Sequence, residues 1–231
     1  MKNEIIFSGH QPNFLPYMGL FYKMFKSDVF VFDDDVQYSS KALHNCNFIR
    51  VNGSKCRITV PVSYKHGDLV NEVKICRVRD WESKLLKTLR MNYGKAPFFE
   101  EGYSLLERHL GEGYEYLVEL NFQLLMEIAE KFGISCNIVV ASRDVPTTLR
   151  KHERNVYQCV SLGGTAYYSG TGGREYNDEE DFRRNGIKLV YSDYEPVRYR
   201  QRGNGFIENL SVLDYIFNNG YLLPTDWEAS V

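Results

Sequence analysis

The chain has 231 residues, 43 % hydrophobic and 25 % charged, an ordinary globular composition with room for one large domain or two small ones. A formal charge of −2 argues against a general nucleic-acid binder, which needs a basic field to release counterions. No apolar run approaches the length of a bilayer span, and Met1-Lys2-Asn3-Glu4 leads into a strand with no signal-peptide stretch before it. The five cysteines are scattered without a C-x-x-C pair, so a reduced, cytoplasmic protein with no transmembrane segment is expected.

In chain order, the apolar run Ile5-Ile6-Phe7 reads as a short strand and is followed at once by Ser8-Gly9-His10-Gln11-Pro12-Asn13. Two prolines stiffen the turn, a helix spans Leu20 to Phe25, and a second strand, Asp28 to Phe32, runs into Asp33-Asp34-Asp35. Strand, helix and strand within about thirty residues make one βαβ unit, whose parallel strands deliver both polar clusters to the carboxyl edge where open α/β sheets bind ligands. Asn52-Gly53 between Asn47–Val51 and Arg57–Val62 predicts a β-hairpin, and a further short strand is expected near Asn71 to Cys76. Helices are expected over Trp81–Tyr93, Phe98–Leu110 and Tyr114–Phe132, the last stopped by Gly133. Ile138–Ala141 then reads as a buried strand, His152–Leu162 as a helix, Ala166–Tyr168 as a strand, Asp178–Asn185 as a helix, Ile187–Ser192 as a strand, and Ser211–Asn218 as a helix. The expected fold is α/β: an open, mostly parallel sheet with flanking helices, a β-hairpin insertion and a helical middle segment. It forms a single domain over residues 1–231, with the helical subregion at about 80–132.

Candidate functional groups follow from this arrangement. His10 stands before a helix start, where it can meet a phosphate or carboxylate or act as a general acid or base. Three adjacent carboxylates repel one another, and strand alternation lets at most two of Asp33, Asp34 and Asp35 face one pocket. Asp34 is the candidate to act in catalysis or to share Mg²⁺ with a substrate phosphate. Lys41 offers a cation, while Gln37, Asn45 and Asn47 offer amides suited to sugar hydroxyls, with Asn45 a candidate oxyanion donor. Gly9, Gln11, Asn13, Tyr17 and Gly19 complete the first binding loop. Ser169-Gly170-Thr171-Gly172-Gly173 after a strand reads as a phosphate-cradling loop, joined by Tyr176, while Tyr199 and Gln201 sit in a basic-aromatic segment suited to an anionic substrate. Seventeen tyrosines suit a polar-lined pocket or an interface, which makes a homodimer reasonable.

Taken as an ordered set, His10 to Gly19, Asp28-Val29-Phe30-Val31, Asp34 to Tyr38, Asn45 to Ile49, Thr59-Val60-Pro61-Val62, Tyr168-Ser169-Gly170, Tyr176, Gly186-Ile187, Tyr199-Arg200-Gln201 and Leu210 to Asp214 resemble the WbqC-like family. The likeness runs from about residue 5 to 220. Two departures are Tyr17, where the family usually has Trp, and Cys46, where it usually has Arg between the two asparagines; Lys41, His44 or Arg57 is available to replace that cation. The resemblance implies a setting in bacterial surface-polysaccharide (O-antigen) biosynthesis. The opening unit also looks distantly like the nucleotidylyltransferase superfamily, although no second histidine follows His10 within the motif. The expectation is an enzyme joining a small acyl or amino-acid donor to the amine of a nucleotide-linked amino sugar. ATP and Mg²⁺ are the candidate cofactors. The alternatives are a metal-dependent nucleotidyl- or glycosyltransferase, and a non-catalytic partner in an assembly complex.

Overall fold

The structure, a computed structural model, describes residues 4–77 and 80–228; the expectation about Met1-Lys2-Asn3 lies outside the described residues. β1 (Ile6–His10), α1 (Met18–Phe25) and β2 (Val29–Phe32) form the opening βαβ unit, with β1 and β2 parallel from Phe7 opposite Val29 to His10 opposite Phe32. β3 (Cys46–Val51) and β4 (Ser54–Thr59) are the antiparallel hairpin. Asn52 and Gly53 at its tip take φ of 49° and 79°, the left-handed pair that a two-residue turn of this twist requires. The short strand expected near Asn71 to Cys76 is β6 (Lys74–Ile75), which pairs with β5 (Val62–Ser63) and is narrowed at its start by a 3₁₀ turn over Val70–Glu72. Glu72 accepts the Leu69 N–H at 2.7 Å, which caps the turn and uses residues that an extended strand would have needed.

The helical middle comprises α2 (Trp81–Tyr93), α3 (Phe99–Gly111) and α4 (Leu117–Lys131), the last ended by Gly133 at φ 69°. β7 (Asn137–Val140) runs directly into α5 (Ala141–Asp144), and α6 (Lys151–Ser161) leads to β8 (Ala166–Ser169). α7 (Glu179–Arg184) is capped by the Asp178 carboxylate, which accepts from the Glu180 and Asp181 amides. β9 (Lys188–Tyr191), α8 (Val212–Asn219) and α9 (Thr225–Glu228) close the chain. α5 and α9 were not expected, since four residues are too few to display a helical period.

Among the described residues the main sheet has five strands in the order β7-β2-β1-β8-β9, every neighbouring pair parallel. Period-two alternation divides its side chains between two cores. Phe7, Val29 and Val31 pack with Val156 and Cys159 of α6 and Phe182 of α7. Phe30 and Phe32 face the other way, into a core with Phe21 and Met24 of α1 and Leu124 of α4. Helices therefore cover both faces, as a parallel sheet requires. Among the described residues no helix is long and apolar enough to cross a membrane.

Candidate functional site

The strand order places the reversal of winding between β1 and β8, since the chain moves outward through β2 and β7 and then crosses back to β8 and β9. Open α/β sheets bind ligands outside the carboxyl ends of the strands at this point. The ladder opens here. β1 and β8 are paired only at Ile6–Ala166 and Phe7–Tyr167, while β1 stays on β2 to His10 and β8 stays on β9 to Ser169. Ser8-Gly9-His10 is therefore not paired with Tyr168-Ser169, and the two strand ends part at the carboxyl edge.

His10 is half-buried on the β1 side, and its Nδ1 lies 2.7 Å from the Gln11 carbonyl oxygen. A carbonyl only accepts, so Nδ1 carries the hydrogen and the neutral ring presents a lone pair at Nε2. Burial, then the Lys23 charge, push the His10 pKa down to about 4, with the Gln11 bond opposing and His44 adding to the fall. The ring is thus uncharged at neutral pH. His44 lies near enough to His10 for its charge to act on the ring. It is fully buried, donates Nδ1–H to the Pro12 carbonyl at 2.7 Å, and has a lowered pKa through burial.

The carboxylates after β2 are committed. Asp33 Oδ1 accepts from Arg154 Nε at 3.0 Å and from Gln158 Nε2 at 2.8 Å, and Arg154 also binds Asp35. Burial raises the Asp33 pKa against the pull of Arg154 and Gln158. Asp34 accepts the Ser142 amide at 2.9 Å and the Ser142 hydroxyl at 2.6 Å, so it caps α5 at the end of β7. A Cβ on Gly9 would sit 2.9 Å from Asp33 Oδ2, so glycine is what lets β1 pass this carboxylate.

The amides divide between wall and scaffold. Asn47 Nδ2 donates to the Phe14 and Leu15 carbonyls at 3.1 and 2.8 Å, and its Oδ1 accepts the Phe48 amide at 2.8 Å. It anchors the loop after β1, where Leu15 is held at φ 46°. Replacing Asn47 by Ala should cost roughly 1–3 kcal/mol for each buried group left unpaired, read as a drop in urea midpoint; an unchanged midpoint would show that the loop holds without it. Asn45 Nδ2 is spent on the Val60 carbonyl at 2.9 Å, which leaves its oxygen, not a donor, without a partner among the described residues. Asn13 is buried and its Oδ1 is likewise unpartnered there. Gln11, Gln37 and Lys41 are exposed, and Gln37 lines a cleft of about 430 Å³ with Asp35, Leu69, Thr147 to Lys151 and Arg154.

On the β8 side Ser169 is buried, donates to the Gly170 carbonyl at 3.1 Å and accepts from Asn177 at 3.0 Å. Gly170 and Gly172 open a 3₁₀ turn over Thr171–Glu175, and a Cβ on either would meet open space. Partial burial and the Asp33 charge raise the Tyr176 pKa, which places its phenol within reach of that carboxylate's field. Tyr17 packs edge-on against Tyr194 at 6.0 Å, and a Cβ on Gly19 would run into the Tyr17 ring. Tyr199 and Gln201 belong elsewhere. Tyr199 donates to Asp214 at 2.7 Å, Tyr93 donates to the same carboxylate at 2.6 Å, and Gln201 accepts from Arg50 at 3.1 Å, a buried network joining α2, α8 and β3. Cys46, buried to 1 %, receives the Arg57 guanidinium at 3.0 Å, so a cation does approach the position where the family carries its own arginine.

Sequence reasoning missed Lys23. It is buried on α1 with Nζ 2.6 Å from the Gly9 carbonyl, and a lone lysine inside the apolar run Met18–Phe25 was the signal. Arg154 was missed too, because its carboxylate partners lie more than a hundred residues away in sequence.

The fold is that of an open α/β sheet covered on both faces, with His10, Asp33 and Ser169 brought to one carboxyl edge. The chain belongs to the WbqC-like protein family, which it matches over residues 11–222. It is also 33 % identical over 218 residues to the uncharacterized protein Rv1507c of Mycobacterium tuberculosis, covering 93 % of this chain and 94 % of that protein. No solved structure matches it.

Proposed function

We propose that the protein is an enzyme of surface-polysaccharide sugar biosynthesis that forms an amide on the amine of a nucleotide-linked amino sugar. The observation that carries this reading is the tautomer of His10 at the carboxyl end of β1, with Nδ1–H held on Gln11 and Nε2 left as a lone pair, on a ring that burial keeps uncharged. An attacking amine must lose a proton as its nitrogen bonds to the acyl carbon, and a neutral imidazole at this position takes that proton on Nε2. The acyl group's former partner leaves as the tetrahedral intermediate collapses. Gln11, exposed beside His10, and the turn after Ser169 supply polar contacts for the sugar and its phosphates. Because Asn45 Nδ2 and the Asp34 carboxylate are already hydrogen-bonded, this reading gives both residues supporting parts and leaves proton transfer to His10.

The test is the thermal midpoint of the protein against UDP-, dTDP- and GDP-sugars, amino sugars among them, with ATP and Mg²⁺ in separate arms. A ligand at a hundredfold excess over its dissociation constant adds about 2.7 kcal/mol to the folded state. A rise with one amino sugar nucleotide, followed by acyl transfer to it, is expected. No rise with any nucleotide sugar would overturn the reading in favour of a non-catalytic partner.

A further inference from the structure

The gap between β1 and β8 holds a charge that the reading above does not use. The Ile6 and His10 carbonyls accept from the Asp28 and Asp33 amides at 2.8 and 3.0 Å, so even-numbered β1 residues turn their backbone groups toward β2. The Ile5 carbonyl accepts from Thr165 and Ala166 at 3.0 and 3.1 Å, so odd-numbered residues turn theirs toward β8. Gly9 is odd. Its carbonyl points to where β8 would have paired had the ladder continued past Phe7–Tyr167, and there it meets the Lys23 ammonium at 2.6 Å. Lys23 crosses from α1 to the unzipped stretch and places its ammonium beside the unpaired edge of β1.

An ammonium has three N–H donors. Among the described residues only the Gly9 carbonyl lies within hydrogen-bonding distance of Lys23 Nζ, although the residue is only 8 % exposed. Two donors of a buried cation are thus left to find oxygens, which costs stability unless a ligand or water provides them. The charged groups that face it are Asp33 after β2 and, when protonated, His10 at the end of β1. Asp33 is drawn to α6, where Arg154 and Gln158 hold its Oδ1, so its charge is already shared.

We propose that Lys23 is an anion-binding residue that holds a phosphoryl oxyanion of the substrate in the split between β1 and β8, beside His10. This deepens the nucleotide-sugar reading and rests on it for the choice of a phosphoryl group, but its test requires no turnover. Burial pushes the Lys23 pKa down to about 8, with Asp33 opposing, so the binding charge should titrate well below that of a surface lysine.

The probe is inorganic sulfate, a tetrahedral oxyanion that does not titrate in this range, added at constant ionic strength balanced with NaCl while the thermal midpoint is followed. In the wild-type protein the apparent sulfate affinity at pH 7 should exceed that at pH 9.5 by at least fivefold, with its midpoint near 8. Lys23→Met should abolish the sulfate-specific shift at both pH values, whereas Lys23→Arg, which folds around the same charge, should keep it at both. His10→Ala should retain the pH dependence. No sulfate effect in the wild type, or an equal effect in Lys23→Met, would overturn the proposal. If Lys23→Met fails to fold, loss of the pH dependence in Lys23→Arg decides in its favour and persistence of the wild-type profile decides against it. Sulfate binding without any nucleotide-sugar binding would leave Lys23 as an anion site and remove the amide-forming reading alone.

Discussion

His10→Ala should lower kcat/KM for amide formation by about two orders of magnitude, the low end of the range a positioned general base supplies, because a base titrating near 4 is weaker than one matched to neutral pH. The cause is local: the substitution removes Nε2 and leaves the Gln11 carbonyl without its imidazole donor. The β1–β2 ladder runs through the His10 backbone and does not need the side chain, so the unfolding midpoint should stay close to wild type. His10→Gln should lose as much, because an amide cannot accept the amine's proton. The pH profile separates this role from a merely structural one. A folded pKa near 4 keeps the base form present down to about that value, so the ratio of wild-type to His10→Ala kcat/KM, in which the substrate amine's own ionisation cancels, should fall near pH 4 instead of near the ordinary histidine value of about 6.5. A folded His10→Ala protein with undiminished turnover, or a ratio that falls near 6.5, would remove His10 as the base.

Arg154→Leu should cost roughly 3–5 kcal/mol of stability, the usual penalty for removing one partner from a buried ion pair. Arg154 is 7 % exposed and is shared between Asp33 and Asp35, so its loss leaves two partly buried carboxylates facing each other without a cation. Gln158 alone would remain on Asp33, at 2.8 Å. The deficit should depend on pH in one direction. Asp33 already has a raised folded pKa, and losing Arg154 raises it further, so the folded variant binds more protons than its unfolded chain above the ordinary carboxylate range. Its stability relative to wild type should therefore recover as pH falls through that window and be worst at neutral pH. Urea midpoints of the two proteins at pH 7 and pH 5 read both effects; a difference below about 1 kcal/mol at pH 7 would show that water serves the carboxylates as well as arginine does. Arg154→Lys should recover only part of the loss, since one ammonium cannot match the spread of guanidinium donors across two carboxylates.

The division of labour among the candidate residues follows from what each side chain already holds. Asn47, Asp34 and Gln201 have their hydrogen-bonding capacity filled by backbone or by neighbouring side chains, and each ties two distant segments together. His10 and Lys23 differ in having a free lone pair and free N–H donors close together at the end of β1. A motif dense in polar residues thus contains scaffold as well as chemistry, and valence distinguishes them where sequence proximity does not.

Local pattern was enough to reveal most of the elements: the Asn52-Gly53 hairpin, the helices over Trp81–Tyr93 and Leu117–Lys131, and the βαβ opening that sends His10 and the three aspartates to one edge. These depend on turn chemistry and side-chain period, which act over a few residues. The ordered motifs from His10 to Asp214 were also enough to point to the family. What the sequence could not contain was the splitting of β1 from β8, since strand pairing across 160 residues is decided by how α1 and α6 pack on the two faces. Nor could it show that Arg154 would meet Asp33, that His44 would come near His10, or that Lys23 would reach Gly9. Each of these depends on burial, which sets both the pKa and the demand for a partner, and burial exists only once the layers have closed.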